Sequence, residues 1–591
     1  MSHFLKRIRI KNYRSIVDVE LRLNTFSALV GENNSGKSNI LDAIQWFVKP
    51  EKLEKAHFND SAQPVEVEGE ITGISNEILG ALATGHANKL RPFIGDEVLI
   101  LRRTMDFPGA ASTAKLEVLN PESKEFDLVP TGFPATISAL FPEPVRVEAM
   151  VDAPEDAAKN RTTSTLGKLL AKLSAPVEAG QGDRLNGLFG EIGKLLSAEG
   201  ENRAQELKEF DQEASLAVQD YFPGIQISVH FPAPTLPDLF KSGTVRIKED
   251  GANEGREFSE LGHGAQRSIQ MAMVQLLASR ARDAGDAPRC TLLLIDEPEL
   301  YLHPQAIEQV RLSLKRLSQA GYQVVFSTHS PLLIDRADLP EANIVSKPDV
   351  RTGTRVNMRI SESVRRALEG DTVKQAQVLF ELGNAVEILF CRRVLLVEGD
   401  SEPKVIPSLY GAVRGRSLRA DKTGVVRLSG SGDTKNALQV LEAMGVIARA
   451  LVDLDYAFKQ AVRSRLIDGN NPHRLAVRQW FETNQDTHDI TLCDEGFPTK
   501  KSAGGAEGAY QKMAKDPANE ASIQALHESL KARGVWLWRK GSIEQVMGID
   551  QKNDPSAITA KCLELATNGC TALAEEEECR AFCQWLISEP T

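Results

Sequence analysis

Gly31-Glu32-Asn33-Asn34-Ser35-Gly36-Lys37-Ser38 fits the pattern G-x-x-x-x-G-K-[ST]. Before it lies Phe26-Ser-Ala-Leu-Val30, an apolar run that reads as a buried strand. After it come Ile40, Leu41, Ile44, Phe47 and Val48, whose spacing predicts one buried face of a helix ended by Pro50. A glycine-rich turn between a strand and a helix lets backbone N–H groups wrap a chain of phosphates, helped by the helix N-terminus. The stretch is therefore expected to bind ATP through Asn34, Gly36, Lys37, Ser38 and Asn39. Lys37 would hold the β- and γ-phosphates and Ser38 a Mg²⁺ ion.

Working outward, the rest of a hydrolytic site is expected at the ends of other strands. Thr291-Leu-Leu-Leu-Ile-Asp296-Glu297 is an apolar strand ending in two carboxylates. Asp296 would hold the hydrated Mg²⁺ and Glu297 would orient the attacking water. Gln323 to Thr328 reads as the next strand, followed by His329, which is placed to bond the γ-phosphate. Ile307, Val310, Leu314 and Leu317 mark the helix between them, stopped by Gly321. Lys6 to Ile16, Val65 to Thr72, Val98 to Thr104 and Ile225 to Phe231 read as further strands, and Gln266 to Arg282 as a helix. Strands alternating with helices predict a parallel α/β sheet. From Pro154 to Gln219 the texture is helical, with a break at Gly180-Gln-Gly182. A stripe of Leu166, Leu169, Leu170 and Leu173 there serves either an internal core or a subunit interface. A helix over Ala367 to Ala385 closes the region.

A second strand–helix series begins at Val394-Leu-Leu-Val397-Glu398-Gly399-Asp400-Ser401-Glu402, an apolar strand, a glycine turn and three carboxylates. About 55 residues on comes Ala450-Leu-Val-Asp453-Leu-Asp455. Alternate strand residues point the same way, so Asp453 and Asp455 are expected on one face. If the two strands are neighbours their carboxylates converge, and oxygen-only donors suit Mg²⁺ or Mn²⁺. Val535 to Trp538 predicts a third strand, with Trp536 and Trp538 in the core. Beyond it Lys540 is placed to stabilise charge on a scissile phosphate, and Glu544 to complete a second metal site. The polar stretch Thr499 to Asn519 reads as an exposed loop or partial helix.

The chain has 591 residues, 42% of them hydrophobic and 26% charged, which describes an ordinary globular protein of several domains. No apolar run approaches the roughly 18 residues of a membrane helix, and the N-terminus lacks a signal peptide's apolar core, so the cytoplasm is expected. The seven cysteines contain no C-x-x-C pair. Cys579 and Cys583, at helical spacing, read as small buried hydrophobes rather than metal ligands. A net charge of −11 opposes nonspecific nucleic-acid binding, so a DNA path would be locally basic or bridged by metal ions.

Arg7-Ile-Arg-Ile-Lys-Asn-Tyr-Arg-Ser15, the phosphate loop, Asp296-Glu-Pro-Glu-Leu-Tyr-Leu-His303-Pro304 and Ser327-Thr-His329-Ser resemble the ABC-type ATPases of the RecF and chromosome-maintenance group. That resemblance implies nucleotide sites completed by a partner's signature segment, here Leu261-Gly-His-Gly264-Ala-Gln266-Arg267, with Gly262 and Gly264 at the nucleotide. Gly262 departs from the family's usual serine. Gln63 is a candidate for the family's nucleotide-sensing glutamine. Glu398-Gly399 followed by Asp453-x-Asp455 resembles the Toprim domain of topoisomerases, primases and nucleases. Together the two resemble the OLD (overcoming lysogenization defect) nucleases, and Leu428-Ser-Gly430-Ser-Gly432-Asp-Thr-Lys435 resembles that family's glycine-rich loop.

The resemblance implies a homodimeric, ATP-hydrolysing DNA endonuclease linked to phage defence, with Mg²⁺, Mn²⁺ or Ca²⁺ held by Glu398, Glu402, Asp453, Asp455 and Glu544. A helicase-like or other defence partner, and the absence of a membrane anchor, belong to the same expectation. The implied layout is an ABC-type head at 1–153 and 220–385, a dimerising helical insertion at 154–219, and a Toprim domain with a helical C-terminal part at 386–591. An ATP-gated DNA clamp without nuclease activity is the alternative. A topoisomerase or primase subunit is a third reading, against which Tyr456 is expected to pack rather than attack.

Overall fold

The computed structural model describes residues 3–589 apart from 142–143, 150–173, 220, 234, 237–238, 240–245, 249, 251–253, 284–289, 368–384, 429 and 550–553. The chain divides into two compact units. The first comprises residues 1–14, 22–26 and 38–328, and the second comprises 15–21, 27–37 and 329–591. Both are α/β.

In the first unit, Phe4–Tyr13 pairs antiparallel with Val65–Thr72, and Leu99–Met105, Lys115–Leu119 and Phe126–Leu128 continue the meander. The alternating Val65-Glu-Val-Glu-Gly-Glu-Ile-Thr72 buries every second residue, as a sheet with one covered face requires. Its outward glutamates meet Arg7, Lys11 and, across the neighbouring strand, Arg102. Phe47 of the helix Lys37–Val48 packs on Gly69, where a β-carbon would lie 2.5 Å from the ring.

Thr291–Ile295, buried on both faces, pairs parallel with Tyr322–Thr328 on one side and Val145–Val147 on the other. The helix Pro304–Gln319 connects the first two strands and buries Ile307, Val310, Leu314 and Leu317. Buried Gln323 staples this sheet to the meander by exchanging two hydrogen bonds with the Leu5 backbone. The helix Ser174–Leu196 runs unbroken through Gly180 and Gly182, contrary to the expected break. Ile225 to Phe231 forms no strand. Ser215 Oγ instead takes both Ile227 backbone groups, and Asp211 takes the Val229 N–H. The Leu166–Leu173 stripe and most of the Ala367–Ala385 helix lie outside the described residues.

In the second unit, the end of strand Phe26–Val30 pairs parallel with Asn343–Ser346, which pairs antiparallel with Arg355–Val356. A separate four-stranded parallel sheet follows, in the order Thr423–Arg427, Arg393–Val397, Ile447–Val452, Val535–Leu537. Its chain order is second, first, third, fourth, so the connections diverge between the first and third strands. In open α/β sheets that divergence opens a crevice at the carboxyl ends. Helices Glu402–Arg414, Pro555–Asn568 and Glu576–Ile587 cover one flank. Trp536 and Trp538 lie fully inside, edge-on or tilted against Phe582, beside buried Cys579 and Cys583. Burial pushes the Cys583 thiol up to about 12, which suits a packing role.

Candidate functional site

The phosphate loop is built by two glycines that nothing else replaces. A β-carbon on Gly31 would lie 2.0 Å from the Val345 carbonyl oxygen. One on Gly36, at φ +101°, would lie 2.0 Å from Thr354 Oγ1. Thr354 in turn donates to the Ser35 carbonyl and shares a hydrogen bond with Ser15. Asn34 also takes a positive φ. Lys37 is buried and donates to the carbonyls of Gly31 and Glu32 at 3.0 and 2.9 Å. It faces His329 Nε2 at 2.9 Å. An ammonium only donates, so that nitrogen is the acceptor. The structure thus brings Lys37 and His329 together.

At the tip of Thr291–Ile295, Asp296 is buried. Ser327 Oγ donates to its Oδ1 and Arg146 Nη2 to its Oδ2. Glu297 takes φ +43° and its N–H donates to Ser327 Oγ. Fully buried Arg267 donates to the carbonyls of Asp296 and Glu297 at 2.6 and 3.0 Å and to that of Glu148 at 3.0 Å. Burial lowers its guanidinium to about 10. Gly264 packs on Tyr301, with room for no β-carbon beyond 2.8 Å, whereas Gly262 faces open space. Asn39 accepts from Arg14, and Gln63 lies exposed in a turn. Arg267 and Ser327 fall inside quoted motifs but were given no role of their own, and Arg146 falls in none of them.

In the parallel sheet, Leu396 is paired with Ala450, so the register carries Gly399 level with Asp453 on the adjacent strand. Neighbouring strands run about 4.8 Å apart, so Glu398 and Asp453 end side by side. Asp453 and Asp455 are not same-face strand residues as expected. The strand stops at Val452 and Asp455 lies in the 3₁₀ turn Leu454–Ala457. Glu402 begins the helix Glu402–Arg414 and is buried over the turn. A β-carbon on Gly399 would lie 2.5 Å from its Oε2. Trp538 N–H donates to the Val452 carbonyl and Leu454 N–H to that of Gly541. These bonds zip residues 538–541 against 452–454. They bring exposed Lys540 beside Asp453, while Arg539 turns to buried Glu578.

Glu544 is buried and accepts from Ser542 Oγ at 2.7 Å, and Asp400 pairs with Arg427. Ser542 also reaches Glu507, on the helix Gly505–Lys515. Of the two readings of this stretch, loop or helix, the helix holds over Gly505–Lys515, and buried Ala509, Tyr510 and Met513 are the spacing that signals it. Tyr456 is buried, as a packing residue would be, and burial raises its phenol above the usual value. Among the described residues, no three His, Cys, Asp or Glu side chains close into a metal-ligand group. The donor chemistry nonetheless fits a hard divalent ion, with oxygen donors alone and a glycine leaving room for Glu402.

A phosphate loop with an acidic strand tip, and a parallel sheet with carboxylates at its tips, define an ATPase joined to a Toprim domain. Residues 4–82 match the family model described as "AAA ATPase domain", and 141–335 match "AAA domain, putative AbiEii toxin, Type IV TA system". Residues 389–455 match "Overcoming lysogenization defect protein-like, TOPRIM domain". The Old nuclease of Escherichia phage P2 is 33% identical over 600 residues, covering 98% of this chain and 99% of that protein. The OLD nuclease of Thermus scotoductus is 26% identical over 67% of this chain and 71% of its own length. Endonuclease GajA of Bacillus cereus is 23% identical over 67% and 65%. The chain belongs to the OLD nuclease family, and is an ATPase and nuclease that uses a nucleotide and a divalent metal. Among the described residues no helix is long and apolar enough to cross a membrane.

Proposed function

We propose that the protein is a homodimeric, ATP-hydrolysing endonuclease that nicks and cuts DNA in a Mg²⁺-dependent reaction, in phage defence or DNA processing. Residues 1–153 and 220–385 form the ATPase module, 154–219 the dimerising insertion and 386–591 the nuclease module. Lys37, with Asn34, Gly36 and Asn39, binds the phosphates, and Ser38 and Asp296 hold their Mg²⁺. Glu297 orients the attacking water and His329 meets the γ-phosphate. Gly262 and Gly264 approach the nucleotide of the partner copy.

In the Toprim domain Glu398, Glu402, Asp453, Asp455 and Glu544 hold the metal, with Mn²⁺ or Ca²⁺ as alternatives to Mg²⁺. Divalent ions bound there supply Lewis acidity and lower the pKa of an attacking water. Lys540, exposed beside Asp453, donates to a non-bridging phosphate oxygen as charge develops on it. The observation that supports this reading is the parallel pairing, at the divergence point of the sheet, of the two strands that run into Glu398 and Asp453.

The test is supercoiled plasmid titrated with Mg²⁺, Mn²⁺ and Ca²⁺, with and without ATP. Nicking that EDTA abolishes and that Glu398→Ala and Asp453→Ala each lose is expected. Wild-type nicking by either variant overturns the assignment. Lys37→Ala is expected to lose ATP hydrolysis.

A further inference from the structure

The carboxylate at the tip of Thr291–Ile295 does not stand alone. Arg146, on the adjacent strand Val145–Val147, is buried, with 6% of its side chain exposed. Its Nη2 lies 3.0 Å from Asp42 Oδ1 and 3.4 Å from Asp296 Oδ2. Asp42 Oδ2 accepts from Arg14 at 2.7 Å. Asp42 lies one turn beyond Ser38 on the helix Lys37–Val48, so the two share a helix face. The other oxygen of Asp296 takes the Ser327 hydroxyl. Both oxygens of Asp296 are thus anchored, one through a guanidinium that also grips the helix bearing Ser38.

We propose that Arg146 is a positioning residue for ATP hydrolysis, setting the carboxylate of Asp296 against the helix of Ser38 through Asp42. The inference rests on the reading of Ser38 and Asp296 as the two Mg²⁺-holding residues of the nucleotide site. One nitrogen of a planar head bridges the two carboxylates, and an ammonium on a flexible stem does not reproduce that fixed placement. Arg146 meets the carboxylates of Asp42 and Asp296, and its proposed role is played through them. Its effect passes through the spacing of the two groups it joins, and a misplacement of about 1 Å at a reacting centre costs on the order of 10²-fold in rate.

The experiment is steady-state ATP hydrolysis by the full chain across a Mg²⁺ titration, with thermal melts of each variant. Arg146→Lys keeps the charge. It is expected to melt near the wild type, to lower kcat by about tenfold or more with ATP KM within about threefold, and to raise the Mg²⁺ concentration for half-maximal rate by about threefold. Deleting the guanidinium alone takes the cation from buried Asp296 and half-buried Asp42 and risks unfolding, so the second variant is Asp42→Asn with Arg146→Met, which removes one charge of each sign. If Arg146 positions Asp296, this double variant folds and stays slow. If Arg146 only balances charge, the double variant recovers the wild-type rate and Mg²⁺ dependence, and the proposal is overturned. Wild-type kinetics in Arg146→Lys overturns it equally. Asp296→Asn is the separate control: wild-type hydrolysis there would sink the reading of Asp296 itself, whatever the Arg146 variants do.

Discussion

The two acidic strand tips of this molecule handle negative charge in opposite ways. Asp296 is buried against the guanidinium of Arg146, with Arg267 clasping its carbonyl. In the Toprim sheet Glu544 is buried against a neutral hydroxyl, and Asp400 meets an Arg427 that is half exposed. The first tip carries its countercharge within the fold. In the proposed function an arriving divalent cation joins the balance at the second tip. In the proposed function the metal at Asp296 arrives with the nucleotide, and a carboxylate already held in place suits that role.

The largest expected effect tests that contrast directly. Asp453→Asn removes one of the carboxylates proposed to hold the metal. Plasmid nicking is expected to fall by roughly 10²–10³-fold, the loss seen when a group stabilising transition-state charge is removed, with the thermal midpoint unchanged or raised. Asp296→Asn is expected to abolish ATP hydrolysis and also to destabilise the chain, because a buried pair broken on one side costs about 3–5 kcal/mol. Equal destabilisation by the two substitutions, read from denaturant melts, would break the comparison.

A smaller effect separates the two glycine turns. Gly36→Ala forces a positive φ and a β-carbon 2.0 Å from Thr354 Oγ1. It is expected to cost about 1–3 kcal/mol and to remove nucleotide binding, measured with a fluorescent ATP analogue. Gly399→Ala meets only the far end of Glu402. That chain should fold normally and bind nucleotide, with nicking weakened and partly recovered at higher Mn²⁺. If Gly399→Ala nicks like the wild type at low metal, Glu402 does not serve the metal.

What was legible in the sequence was local. The phosphate loop, the apolar strands and their acidic tips are contiguous patterns, and the structure places them where their period predicts, apart from Ile225 to Phe231 and the D-x-D. The partners were not legible, because Arg146 meets Asp42 and Asp296 across 104 and 150 residues, and nothing in a short window marks an arginine as buried. Glu507 was hidden for another reason: its helix opens on Gly504 and Gly505, both at positive φ, within a stretch whose lysines and glycines read as loop. Gly180 and Gly182 misled in the other direction. A glycine costs a helix only about 1 kcal/mol relative to alanine, which a helix of 23 residues absorbs. The D-x-D motif was found but its geometry was not, since the chain leaves the strand one residue before Asp453.

The same distinction between local and distant constraint bears on Gly262, where the smallest effect is expected. The family pattern has serine there, and the departure raises the question of whether a hydroxyl is missing from the nucleotide site. Gly262 precedes the helix His263–Asp283, and its carbonyl accepts the Gln266 N–H, the bond of an N-cap residue. A β-carbon at this position meets nothing within 4 Å. Serine is a better N-cap than glycine by only a few tenths of a kcal/mol, so Gly262→Ser should be neutral or slightly stabilising. Unlike Gly36, this position has no described neighbour that a β-carbon would meet. If backbone N–H groups at the start of that helix already meet the partner copy's phosphate, ATP turnover should stay within about twofold of the wild type. A gain of tenfold would show that a side-chain donor is what this signature segment lacks, and that its nucleotide contact is weaker than the buried, charge-balanced half around Asp296.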